Sequence, residues 1–241
     1  ILISSGEVLM SKKNDLRLQR EGTVINSISK KQEKRLGNSL IVLYKALTDK
    51  YGVQLAHESQ WFLKDIVEEL RKHYPEVDFG YKFESSSMRP DGGILSLVDK
   101  KGEYFPILIT EVKNQGTNDL RAQEGKEKQA RGNAIERLGK NVIGFRTALL
   151  KESIFPFVCF GDGCDFAEDS SIVDRVITIS MFGELNKTRL HNEGNDKQFN
   201  RGSFYFRVPL WTENDMLPIM TDIAERSILY YFSKYGEKAF K

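Results

Sequence analysis

Two runs of β-forming residues, Ile94-Leu95-Ser96-Leu97-Val98 and Tyr104 through Lys113, flank the turn-like Asp99-Lys100-Lys101-Gly102, and no other feature restricts the fold of this chain as much. The pattern predicts a β-hairpin. Its second arm runs through Leu108-Ile109-Thr110 into Glu111-Val112-Lys113, so a strongly apolar strand ends on charges, which belong at the rim of a core. Around the hairpin the apolar periodicity is helical. Leu40, Ile41, Tyr44 and Leu47 predict a helix over 38–50, and Trp61, Phe62, Ile66, Val67 and Leu70 predict one over 59–73, closed by Pro75. A third is expected within 128–150, and a last one from Asn214 with Pro218 in its first turn. Short strands are expected at 155–160 and at 172–180, and loops at 116–127 and 186–203. This order of elements predicts an α/β fold, a central mixed β-sheet flanked by helices.

With 241 residues, 40% of them hydrophobic, the chain can bury one sizeable core, and it is read as a single domain. No apolar stretch approaches the roughly 20 residues that cross a bilayer. Cys159 and Cys164 are too few for a disulfide framework, and no His-rich cluster joins them, so a reducing cytoplasm is expected. No secretory signal pattern is seen at the amino end, and Met10-Ser11-Lys12-Lys13 reads as a natural start. A net charge of +2 excludes binding of nucleic acid by bulk attraction. Basic residues are concentrated locally, with eight between Met10 and Arg35 against Asp15, Glu21 and Glu33. Residues 1–35 are accordingly expected to form a flexible or DNA-contacting arm, and 77–180 the catalytic core.

Asp91 and Glu111 are equidistant from Lys101 in the turn, so the hairpin should set them opposite one another. Opposed Cβ atoms on paired strands lie roughly 5 Å apart, and carboxylates that close repel unless a cation lies between them. Lys113 is two residues beyond Glu111 and shares its face of the strand. Two carboxylates, with water and a phosphate, form the partial octahedral shell that Mg²⁺ prefers. The metal would activate water and neutralise phosphate charge, while the Lys113 ammonium would hold the attacking water in an in-line displacement. Spacing alone leaves a plainer reading open, because Pro90-Asp91-Gly92-Gly93 is also an ordinary turn and Glu-x-Lys an ordinary exposed charge pair.

A second group of residues suits base recognition. Arg131-Gly132-Asn133-Ala134-Ile135-Glu136-Arg137 lies near a helix start. Asn can bond adenine bidentately, Arg can donate to a purine, and Glu can accept from an exocyclic amine, while Gly132 and Ala134 let the backbone come close to base edges. A helix start with solvated Glu136 and Arg137 is the competing reading.

Taken in order, Ser86-Ser87-Met88-Arg89-Pro90-Asp91-Gly92-Gly93, then Glu111-Val112-Lys113-Asn114-Gln115-Gly116, then Gly132-Asn133-Ala134-Ile135-Glu136-Arg137 resemble the EcoRI-type restriction endonucleases. The similarity covers roughly 80–241, and the first 80 residues match only in general character. The resemblance implies a PD-(D/E)xK, restriction-endonuclease-like core acting with Mg²⁺ on double-stranded DNA as a homodimer and leaving 5′ overhangs. It implies a palindromic site centred on AATT, GAATTC first, with CAATTG, RAATTY and AATT following, and a companion DNA methyltransferase. By the same carry-over Asp91 and Glu111 bind metal, Lys113 assists the water, and Asn133, Ala134, Glu136 and Arg137 read inner bases. Arg89, Arg131, Gly132, Lys187 and Arg189 are further expected DNA contacts. Two departures bear on specificity. Arg131 replaces a small residue before Gly-Asn-Ala, and Lys187 replaces an arginine in the segment that ends at Arg189, where a point charge lacks the planar fork of a bidentate contact. The alternatives are a repair or recombination nuclease that reads DNA shape, a DNA-binding regulator without catalysis, and a globular protein whose charged hairpin is incidental.

Overall fold

The computed structural model describes residues 25–114, 125, 133–167, 170–192 and 199–241, with side chains from residue 30 in the first helix and residue 135 in the third. In chain order the elements are α1 (Ile25–Tyr51), β1 (Gln54–Glu58), β2 (Trp61–Phe62), α2 (Leu63–His73), β3 (Ser87–Met88), β4 (Gly93–Val98), β5 (Tyr104–Asn114), α3 (Asn133–Ala148), β6 (Phe157–Asp162), α4 (Ser171–Ile179), β7 (Ser203–Arg207) and α5 (Glu213–Tyr235). Five strands form the central sheet in the order β1-β4-β5-β6-β7. β1, β4 and β5 are antiparallel, and β5, β6 and β7 are parallel. The sheet is mixed, as the sequence led one to expect.

Both faces of the sheet are covered, which explains why β4 and β6 are buried along their whole length and read as nearly continuous apolar runs. Leu36, Leu43 and Leu47 of α1 and Met216, Met220, Ile223 and Tyr231 of α5 pack with Leu97, Leu108 and Val112 on one face. Leu138, Val142 and Phe145 of α3 and Ile172 and Val176 of α4 pack with Ile109, Phe157, Cys159 and Phe204 on the other. β2 and β3 form a separate two-stranded ribbon beside α2.

The hairpin β4–β5 carries one irregularity that matters to the site. Leu95 pairs with Leu108 but Ser96 with Pro106, so Ile107 is an extra, bulged residue. Pro106 has no N–H to give the ladder, and a bulge is where a sheet tolerates it. The consequence is a one-residue shift in register on the side toward Glu111.

Several boundaries differ from expectation. Residues 25–35 of the expected arm are helical and not flexible coil, while the rest of that arm and the expected loop at 116–127, apart from Gly125, lie outside the described residues. Trp61 and Phe62 are strand, and α2 starts after them. The strand expected at 172–180 is α4, because Ser170 caps it and Ile172 and Val176, one turn apart, are its buried residues. Composition there is β-branched, but packing of Ile179 against Gly139 of α3 decides. Pro218 lies in the second turn of α5, which begins at the Thr212 cap. β1 and β7, outside 77–180, complete the sheet.

Candidate active site

At the rim of the sheet Glu111 and Lys113 emerge on one face of β5, and Asp91 meets them from the turn that precedes β4. Lys113 Nζ donates to Asp91 Oδ2 at 2.8 Å and to Glu111 Oε1 at 2.5 Å. Each acid also accepts from a backbone N–H of the opposite arm. Asp91 N donates to Glu111 Oε2 at 3.1 Å, and Val112 N donates to Asp91 Oδ2 at 3.2 Å. The expected opposition of Asp91 and Glu111 is therefore offset, with Asp91 reaching across to residue 112 because of the bulge.

Two glycines let the turn approach so closely. A Cβ at Gly92 would lie 2.0 Å from Thr110 Oγ1 and 2.6 Å from Leu36 Cδ2, so α1 packs directly on the turn. Gly93 has φ +77°, and a Cβ there would meet His57 and the carbonyl of Glu58. His57 Nε2 and Gly92 O are 2.8 Å apart.

Electrostatics follow from burial. Glu111 is 2% exposed at its side chain and Lys113 13%. Burial raises the pKa of Glu111, and the charge of Lys113 only partly opposes it. Burial would lower the pKa of Lys113, but the charges of Glu111 and then Asp91 outweigh it and hold the ammonium above its ordinary value. The cluster keeps one firm cation between two acids.

Two contributors were not singled out in the sequence as site residues. Glu33 of α1 lies close enough to feel Asp91 and Lys113; burial first and then Asp91 raise its pKa. It shares with Asp91, Arg89 and His57 a cleft of about 880 Å³ between α1 and the turn that carries Asp91. Asn141 of α3 donates to Glu111 Oε1 at 3.4 Å. Both come from helices remote in sequence from the hairpin, and no local pattern announces them.

The other expected contacts are placed less closely. Arg89 is exposed, its guanidinium on Gln60 Oε1. Glu136 and Arg137 are exposed on the first turns of α3, which Asn133 and Ala134 begin, while Arg131 and Gly132 lie outside the described residues. Lys187 is exposed and paired with Glu184 at 2.7 Å. Arg189 is half-buried, its guanidinium over Gly183. Cys159 and Cys164 are not bridged, and burial pushes the Cys159 thiol up.

Among the described residues no three His, Cys, Asp or Glu side chains form a metal group by themselves. The donor set is two carboxylates, hard oxygen ligands that suit Mg²⁺, which retains water and takes one or two such groups.

Comparison with known proteins adds a direct finding. The sequence profile of the family described as restriction endonuclease EcoRI matches residues 19–173. The type II restriction enzyme RsrI of Cereibacter sphaeroides is 32% identical over 221 residues, covering 78% of this chain and 79% of that protein. The type II restriction enzyme EcoRI of Escherichia coli is 30% identical over 162 residues, covering 63% of this chain and 58% of that protein.

Proposed function

The chain belongs to the EcoRI family of restriction endonucleases and is a type II site-specific deoxyribonuclease; from that premise we propose that it cuts double-stranded DNA at a palindrome centred on AATT, GAATTC first, with Mg²⁺ and with Asp91, Glu111 and Lys113 as its catalytic residues. One nuclease domain spans the chain, and two copies act on the two half-sites, since one helix start reaches only one of them. CAATTG, RAATTY and AATT are the other sites to test, and cleavage leaves 5′ overhangs. The enzyme is expected in a bacterial cytoplasm with a methyltransferase that protects host DNA. The observation that supports the catalytic assignment is the convergence of Asp91 and Glu111 on the Lys113 ammonium beside an open cleft.

Asp91 and Glu111 would hold Mg²⁺, which when bound supplies an activated water and neutralises charge on the phosphate. Lys113 donates a hydrogen bond to the attacking water and balances the charge that builds on the phosphoryl oxygens. The bond from Val112 N keeps Asp91 oriented, and those from Asp91 N and Asn141 keep Glu111 oriented. Asn133, Ala134, Glu136 and Arg137 read inner bases from the start of α3. Gly132 gives clearance, and Arg89, Arg131, Lys187 and Arg189 contact phosphate or outer bases.

Digestion of plasmid DNA with Mg²⁺ followed by sequencing of the ends tests this. Fragments should share an AATT core, and scattered ends would refute the specificity. Lys113→Ala should lower cleavage by roughly 100-fold or more; parental activity in that variant would refute the mechanism.

A further inference from the structure

Asp162, the last residue of β6, is fully buried and has no part in the chemistry above. Its Oδ1 accepts from Asn114 Nδ2 at 2.6 Å, and its Oδ2 accepts from Gln32 Nε2 at 2.9 Å and from the backbone N–H of Trp211 at 3.1 Å. All three donors are neutral. Among the described residues it has no cationic partner, and a carboxylate buried in that way is a costly filling for a core, so its value lies in what it ties together.

What it ties together surrounds the catalytic cluster. Asn114 follows Lys113 and is the last residue of β5, paired in register with Asp162. Lys113 is the residue just before Asn114, so a shift of Asn114 moves Lys113 directly. Gln32 is buried on α1 next to Glu33, one turn before Leu36, whose side chain rests on Gly92 of the catalytic turn. Trp211 is fixed at both nitrogens, its N–H on Asp162 and its Nε1 on Gly161 O at 2.9 Å. One carboxylate thus joins the end of β5, the rotation of α1 and the approach to α5.

We propose that Asp162 is a positioning residue for cleavage: through Asn114 it fixes the end of β5 so that Lys113 stays between Asp91 and Glu111, and through Gln32 it fixes α1 over the catalytic turn. The proposal rests on Lys113 being catalytic. Asp162 itself does not touch substrate.

Asn114→Ala cuts the β5 arm alone at a half-buried position and should leave the chain folded. The measurements are single-turnover cleavage with Mg²⁺ at saturating DNA, the Kd for the same DNA without metal, and Tm. The expected result is a cleavage rate at least about tenfold lower, as for a small misplacement of a reacting group, with Kd changed by less than about threefold and Tm nearly parental. Asn114→Asp, which sets a second carboxylate against Asp162, should be slower still. A parental rate in Asn114→Ala, or a loss that merely follows Kd or Tm, overturns the positioning role. Lys113→Ala is the control: if it too cleaves like the parent, the catalytic reading has failed; if it is inactive while Asn114→Ala is parental, only the role of Asp162 has.

Discussion

Glycine at 92 is required by its neighbours, and the requirement bears directly on Asp91. With Thr110 on one side and Leu36 on the other, a methyl group has no room unless the turn or α1 moves. Gly92→Ala is expected to cost roughly 1–3 kcal/mol as an overpacked site, measurable by denaturant unfolding, and to slow cleavage more than the stability loss explains. Lys113 gives a second residue-scale prediction. Without metal, Lys113→Met leaves Glu111 buried with only amide and backbone donors, at a cost of about 3–5 kcal/mol when it is ionised. Because burial already raises the folded pKa of Glu111 above 4.5, the folded state binds its proton more tightly than the unfolded state does. Its contribution to stability is therefore fullest below 4.5 and falls as pH rises through the folded value. The destabilisation of Lys113→Met should be small at acid pH and grow toward alkaline pH, and a pH-independent difference would contradict it.

At the scale of elements, α5 shows a helix start whose cap is completed by the strand just before it. Thr212 and Asp215 form a capping box, and Asp215 also accepts from Arg207 at the end of β7, whose guanidinium stacks on Trp211 at 3.7 Å. The Arg207 bond first, then Thr212, lower the pKa of Asp215 from 3.8 to about 2. That stabilisation is complete above 3.8 and is lost as pH falls to about 2, so Asp215→Asn should flatten the acid decline of Tm over that interval. The hairpin was legible because it depends on near neighbours; the last helix was legible too, but its start was expected at Asn214 and the Thr212 cap sets it earlier. α4 was not: its β-branched residues favour strand locally, and the Ser170 cap together with packing against α3 makes 171–179 helical. The bulge at Ile107 was equally hidden, although Pro106 is its visible trace.

For the whole molecule, the proposed palindromic target calls for two-fold symmetry, so light scattering should give twice the 27.6 kDa chain mass without DNA, and that plus the mass of the duplex with it. One chain in place of two under both conditions would contradict the paired reading. Net charge is nearly balanced, so DNA affinity must come from local contacts, and log Kd should change with log salt in proportion to the number of phosphates contacted. What the sequence by itself determined is the grouping of three charged residues: strand periodicity put Glu111 and Lys113 on one face, and the turn between the arms brought Asp91 back beside them. Those are consequences of covalent spacing and strand geometry. Only tertiary structure decided the offset of Asp91 onto Val112 N, the nearness of Glu33 and Asn141 to the cluster, and the joining of Gln32, Asn114 and Trp211 through Asp162. Each depends on how helices and strands far apart in the chain pack across the sheet, which no local period encodes.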